Sequence, residues 1–76
     1  MNDIDIKARQ CSRILLFIQD HGSINPKQAM NELAIMRLAA RISDMERAGI
    51  HFEHKPVTDF NKFGEKVRYM EYRLAV

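Results

Sequence analysis

Arginines alternate with small and polar residues in the segment IMRLAARISDMER, which covers residues 35–47. On a helix, the outward arc of this segment holds Arg37, Ala40, Asp44 and Arg47, with Met36 and Arg41 on its flanks. Arginines near the N-terminus of an exposed helix can donate paired hydrogen bonds to guanine edges in a DNA major groove. Two interpretations stand side by side: base or phosphate contact by Arg37 and Arg41, or solvated arginines paired with nearby acids.

Two further segments carry cations at positions suited to phosphate. Lys62, Lys66 and Arg68 lie in a polar stretch, where acidic residues interrupt them and leave the segment weakly basic. Lys27 and Gln28 lie in the first turn of a predicted helix, where backbone amides and a lysine commonly meet a phosphate. Plain solvation is the alternative for both segments.

Other chemistries find no support in the residue spacing. Cys11 belongs to an apolar helical stripe, and no pair among it and the three histidines has the spacing of a zinc site. Asp44 and Glu46 lie on different helical faces, and there is no Ser, His and Asp grouping or glycine-rich phosphate loop. The sequence predicts no catalytic residue, no metal and no cofactor, and 76 residues leave little room for a walled pocket.

Composition predicts a small globular domain. The chain is 46% hydrophobic and 29% charged, with a net charge of +2, which is compatible with nucleic acid without requiring it. We expect one domain over residues 1–76, with residues 1–6 as a disordered arm. The lone cysteine excludes an internal disulfide, the first residues are acidic where a secretory signal is basic, and the longest apolar run is five residues. A cytoplasmic location is expected.

Apolar spacing predicts three helices. The first covers Lys7–His21, has its buried stripe at Cys11, Ile14, Leu15 and Ile18, and stops at Gly22. Ser23 and Ile24 form a short strand, and Asn25 then caps a second helix from Pro26 to near Leu33. The third runs from about Ile35 to Ala48, with an inward stripe of Ile35, Leu38, Ala39, Ile42 and Met45.

After Gly49 the hydrophobic period changes to two. Two strands are predicted, one around Ile50 and Phe52 and one from Tyr69 to Leu74, with a long polar hairpin loop over 55–66 between them. Phe60 and Phe63 lie in this loop. We expect them to fold back on the strands, with an exposed partner-binding patch as the alternative.

The order of helix, short strand, helix, turn, helix and two-stranded hairpin is that of an α+β winged helix-turn-helix, with the hairpin as its wing. A B-DNA major groove admits one helix, and a flanking hairpin can lie across phosphates. The third helix and the wing would take those roles here.

The residues also resemble a known family. IMRLAARISDM at residues 35–45 and VRYMEYRL at residues 67–74 resemble the small helix-turn-helix proteins of bacteriophages and prophages, and the likeness covers about residues 12–74. The resemblance implies a winged helix-turn-helix fold, a DNA-binding role and a bacterial host cell. Arg37 and Arg41 match its recognition-helix positions. Ala34 departs from the glycine expected between the second and third helices, and a positive φ there would cost about 1 kcal/mol.

Two functions follow from these observations. The first is a phage or prophage transcriptional regulator whose partner is double-stranded DNA, bound through helix three and the wing. The second is a winged-helix inhibitor or adaptor that binds a host protein such as RNA polymerase or a defence nuclease, because fold does not fix function. A homodimer is an expected assembly, since one small module contacts few base pairs.

Overall fold

A computed structural model describes residues 2–75 of the chain. It contains three helices followed by a two-stranded antiparallel sheet. The elements are α1 (Asp3–His21), α2 (Pro26–Leu33), α3 (Leu38–Arg47), β1 (Phe52–Phe60) and β2 (Lys66–Leu74). The predicted α+β winged helix-turn-helix fold is confirmed. Across these residues, no helix is both long enough and apolar enough to cross a membrane.

Helix α1 begins four residues earlier than the apolar spacing predicts. The Asn2 side chain accepts a hydrogen bond of 2.9 Å from the backbone N–H of Asp5, and the two acids of the first turn favour the positive end of the helix dipole. A disordered arm is therefore wrong for residues 3–6, while residue 1 lies outside the described residues. The helix ends as predicted at Gly22, which has a φ of 89°.

Helix α2 begins with a reciprocal cap. The Asn25 side chain accepts from the Gln28 N–H at 2.8 Å, and the Gln28 side chain accepts from the Asn25 N–H at 3.0 Å. Pro26 fills the first helical position, where no N–H is needed. The predicted cap is confirmed.

The turn between α2 and α3 depends on a left-handed alanine. Ala34 has a φ of 56°, and the next residue, Ile35, donates its N–H to the Ala29 carbonyl at 2.9 Å. Ile35 is fully buried, so the turn carries the chain into the core before α3 begins at Leu38. The predicted helical start at Ile35 is therefore wrong, because residues 35–37 belong to the turn.

The hairpin is longer than predicted. Most of the expected loop is strand: β1 continues to Phe60, and β2 begins at Lys66, directly opposite it. Only residues 61–65 connect the strands. On the other edge of β2, Ile24 and Tyr72 exchange two backbone hydrogen bonds of 2.9 and 2.8 Å. The short strand predicted before α2 is thus confirmed, and it fixes α2 against the wing.

The core lies between the three helices and the base of the hairpin. Four isoleucines, Ile14, Ile24, Ile35 and Ile42, have at most 1% of their surface exposed. Their positions bring together α1, the short strand, the α2–α3 turn and α3. The outer part of the wing adds no buried residue, because the buried positions of the hairpin, Phe52 and Tyr72, lie near its base.

Ile42→Ala tests the packing of α3. We expect the free energy of unfolding to fall by about 2–5 kcal/mol, because the substitution leaves a cavity among buried side chains. Chemical denaturation measures it. Ser43→Ala, at an exposed neighbouring position, should change stability by no more than about 0.5 kcal/mol. If the two variants were equally stable, the assignment of the Ile42 side of α3 to the core would be wrong.

Ala34→Gly tests the left-handed turn. Glycine at this φ relieves about 1–2 kcal/mol of backbone strain in the folded state. It also raises the entropy of the unfolded chain, which costs about 0.4–1 kcal/mol, so we expect the free energy of unfolding to rise by about 0.5–1 kcal/mol. Ala39→Gly, an exposed helical position in α3, should instead lose about 1 kcal/mol. Thermal melting compares the two variants, and a loss in both would contradict the turn geometry.

Candidate nucleic-acid interface

The exposed face of α3 differs from the predicted one. Ala39, predicted to point inward, is exposed, whereas Ala40, predicted to point outward, is half-buried. The solvent-facing positions of the helix are Ala39, Ser43, Glu46 and Arg47. The helix is therefore rotated about its axis relative to the prediction.

Arg41 lies on the buried side of α3, with Leu38, Ile42 and Met45. Only 9% of its surface is exposed, so the prediction that its side chain projects away from the core is wrong. Its Nη1 donates to the Gln10 side chain of α1 at 3.4 Å, and its Nε lies 3.0 Å from Asp44 Oδ2. The second contact is an ion pair without hydrogen-bond geometry, because neither atom has a hydrogen-bond partner among residues 2–75. Arg41 thus holds α3 against α1.

Asp44 joins two arginines. Its Oδ2 faces Arg41, and its Oδ1 accepts a hydrogen bond of 2.6 Å from Nη2 of the exposed Arg47. The carboxylate is half-buried, so it offers little acidic surface to a ligand. Asp44 is therefore a structural partner of the arginines, which is the alternative that the sequence left open for Arg41.

Residues 36 and 37 are the most open part of this region. Met36 is 84% exposed, and Arg37 is exposed at the N-cap position of α3 with no side-chain cap bond. In the described chain Arg37 has no ion-pair partner. Both residues line an open groove of about 330 Å³ together with Asp3 and Lys7 of α1 and the edge of Arg41. The Arg37 guanidinium is thus available to an anion or a base edge.

The wing is tied to α3 at its base. His54 Nε2 of β1 lies 2.9 Å from Glu46 Oε2, and the imidazole packs edge-on against Tyr72, with ring centroids 5.0 Å apart. Burial raises the pKa of the Tyr72 hydroxyl, and the nearby Glu46 carboxylate raises it further. Glu46, the one acid on the exposed face of α3, is therefore engaged within the chain.

The predicted wing cations remain accessible. Lys62, Lys66 and Arg68 are all exposed, and none forms an ion pair in the part of the chain that the structure describes. The neighbouring acids bond locally: Glu65 accepts from the Asn61 side chain at 3.2 Å, and Asp59 accepts from the Phe60 N–H at 2.8 Å. The three cations are therefore free to contact a ligand, beside two carboxylates that keep their charge.

The first turn of α2 and the wing share a cleft. Lys27 and Arg68 both line this space of about 360 Å³, together with Pro26, Phe60 and Tyr69. Gln28 does not line it, and its side-chain oxygen is held in the helix cap. The fold thus brings Lys27 next to the wing, which the sequence did not predict because the two segments are some forty residues apart.

Cys11 lies beside the buried arginine and takes no part in this surface. Burial raises the pKa of its thiol, and the positive charge of Arg41 opposes that shift without cancelling it. The thiol is therefore protonated at neutral pH. A protonated thiol is a poor nucleophile and a poor metal ligand.

Arg41→Ala and Arg37→Ala separate structural from surface roles. Arg41→Ala should lower the free energy of unfolding by about 1–3 kcal/mol, because it leaves buried polar atoms without their partner. Arg37→Ala should change it by no more than about 0.5 kcal/mol. Denaturant melts of the two variants give the comparison, and an Arg41→Ala protein as stable as the parent would refute the buried network.

Comparison with known proteins gives one match. The sequence profile of the winged helix-turn-helix domain matches residues 9–76. Comparisons with curated proteins and with solved structures give no match. The matched region includes all of α2, α3 and the hairpin and most of α1, and its described order of elements is that of the family. The chain belongs to the winged helix-turn-helix domain family.

Proposed function

We propose that this protein binds double-stranded DNA as a small transcriptional regulator of phage or prophage origin. In this proposal α3 enters the major groove, and the wing and the first turn of α2 contact phosphates. Members of the family are typically DNA-binding domains without enzymatic activity, and the resemblance of residues 35–45 and 67–74 to phage proteins supports the origin.

The observation that carries the proposal is a set of exposed cations that are free of ion pairs. Arg37, Lys27 and the wing cations have no ion-pair partner within residues 2–75. Asp44 and Glu46, the acids nearest to them on α3, are both held by other side chains. These cations are therefore free to meet phosphate, in grooves that Asp3 and Asp59 also line.

The dimensions and side chains of α3 suit a major groove. A helix with its side chains is about 10–12 Å across, and a B-DNA major groove is about 12 Å wide, so the groove admits the ten residues of α3. Small residues, Ala39 and Ser43, lie on its exposed face and allow a close approach to base edges. Arg37 before the helix and Arg47 in its last turn then lie at either end of the contact. We propose these four residues as the base-reading set, in place of Arg41.

A second copy of the chain completes the proposal. One ten-residue helix reads only a few base pairs, and two-fold dimers with paired half-sites are the common solution. Sedimentation velocity of the protein with and without a duplex should show two copies per bound duplex. If only one copy is bound per duplex at saturation, the dimer is wrong and each protein reads a single short site.

A protein-binding role is the second candidate. It is favoured by the exposure of three large apolar side chains, Met36, Phe60 and Phe63. Isolated apolar residues are normal on a surface, but aromatic residues grouped at one tip are typical of contact sites. An inhibitor or adaptor acting on a host polymerase or nuclease would use them as anchors.

A titration across salt concentrations tests DNA binding. We expect fluorescence anisotropy with a random duplex to give a dissociation constant of about 10⁻⁴ to 10⁻⁶ M at physiological salt, falling steeply as salt is lowered. A signal that is absent at low salt, or that does not depend on salt, would favour the protein-binding role.

The variant Lys62→Ala with Lys66→Ala tests the wing. Each phosphate contact contributes about 0.9 to the slope of log affinity against log salt, so the slope should fall in magnitude by up to about two. Preference among DNA sequences should barely change, because phosphate contacts carry no direct base information. Arg13→Ala is the matched control, since this exposed arginine lines a separate groove with Leu16 and Asp20. An unchanged slope in the lysine variant would remove the wing from the interface.

A further inference from the structure

The end of the wing exposes two aromatic rings. Phe60 is 66% and Phe63 is 75% exposed, so the expectation that both fold back on the strands is wrong. The register explains why, because Phe60 is the last residue of β1 and has only Lys66 opposite it. Phe63 lies in the connecting turn, beyond the last strand pair. Neither ring has a core to pack against.

The turn holds Phe63 in a defined place. The Asn61 side chain accepts hydrogen bonds from the N–H groups of Phe63 at 2.9 Å and Glu65 at 3.0 Å. The backbone adds two more bonds, from Asn61 to Glu65 at 2.9 Å and from Gly64 to Asn61 at 3.0 Å. Gly64 has a φ of 79°, which a residue with a side chain would adopt only under strain. A ring presented on an ordered turn binds without the entropy cost of ordering a mobile loop.

Charge around the rings indicates the kind of partner. Lys62 Nζ lies 5.3 Å from the centroid of Phe63, and Lys66 faces Phe60 across the strand pair. The nearby acids Asp59 and Glu65 keep their charge but form no ion pair with either lysine, because each bonds to a neutral N–H group of the wing. Aromatic rings flanked by free lysines match a nucleic acid, in which apolar base faces lie between rows of phosphate. A neutral apolar pocket on a protein would leave the lysines without a partner.

The hairpin has the reach that such a contact needs. Nine residue pairs at about 3.3 Å each give a ribbon about 30 Å long, and its buried residues lie near the base. Apolar side chains inserted from the minor groove partly unstack a base step and kink the duplex by about 20–90°. Phenylalanine is among the residues that act in this way.

We propose that Phe63 is a wedge that inserts between base pairs of duplex DNA from the minor groove, with Lys62 and Lys66 on the flanking phosphates. This inference rests on the proposed DNA binding and adds a mechanical consequence to it. The bound duplex is bent, and flexible pyrimidine–purine steps are preferred because they unstack at lower cost.

The experiment uses the full chain, one duplex sequence in two labelled preparations, and three readouts. The duplex carries 2-aminopurine beside a central TA step, and a second preparation carries a donor and an acceptor dye at its ends. Anisotropy gives affinity, 2-aminopurine fluorescence reports unstacking, and energy transfer reports bending. We expect the parent protein to raise both the 2-aminopurine fluorescence and the energy transfer at saturation.

Two variants of Phe63 and one control isolate the ring. Phe63→Ala should return the 2-aminopurine signal and the energy transfer to the values of free DNA. Its affinity should fall by no more than about tenfold, because lost stacking and saved unstacking offset each other. Phe63→Leu keeps an apolar wedge and should retain part of both signals. Leu16→Ala removes an exposed apolar side chain from α1, 60% exposed, and should behave as the parent. Thermal melts confirm that each variant folds.

The outcomes separate the two proposals. A parent protein that binds the duplex with salt dependence but leaves stacking and bending unchanged would overturn the wedge and leave DNA binding intact. Full signals from Phe63→Ala would also overturn it. Failure of the parent to bind any duplex at low salt would overturn DNA binding itself, and the wedge with it, and would leave the aromatic tip as the anchor of the protein-binding alternative.

Discussion

The ion pair between Arg41 and Asp44 fixes which side of α3 meets the solvent. Arg41 lies on the buried side of α3 and donates a hydrogen bond to Gln10 of α1. Asp44 contacts Arg41 with one carboxylate oxygen and the exposed Arg47 with the other. Burying a guanidinium is costly unless a carboxylate and polar groups compensate for the lost water, so the helix cannot rotate far without exposing or stranding this charge. The small residues Ala39 and Ser43 face outward because Arg41 faces inward. The proposed DNA contact of α3 follows from that rotation.

Much of the fold could be predicted from local signals. Asn25, Pro26 and Gly22 mark helix ends through caps and backbone preferences that act within a few residues. Alternating apolar residues indicated the hairpin, and the order of elements indicated the fold. The strand lengths could not be predicted, because residues 55–60 show no alternation of buried and exposed positions, and only Val57 among them is partly buried. They form a strand because their backbone pairs with β2. Such pairing depends on the partner strand and leaves no pattern in the residue types.

The site was less predictable because it depends on contacts between distant segments. A helical projection treats every arginine as a surface residue, and only packing against α1 shows that Arg41 is structural and Arg37 is not. One signal was present in the sequence: Asp44 follows Arg41 by three residues, the spacing of a helical ion pair. The pairing of Lys27 with the wing had no such signal, since it arises from the strand bridge between Ile24 and Tyr72.

Three polar links hold the proposed contact elements in one arrangement. The bridge at Ile24 joins the start of α2 to β2, the pair of His54 and Glu46 joins β1 to α3, and Arg41 joins α3 to α1. Two of the residues in these links also engage an acid of α3, because His54 contacts Glu46 and Arg41 lies 3.0 Å from Asp44. The same contacts therefore give rigidity and keep both acids within the chain. A domain of 76 residues has few residues to spare, and here the residues that stabilise α3 and the wing also prepare their surface.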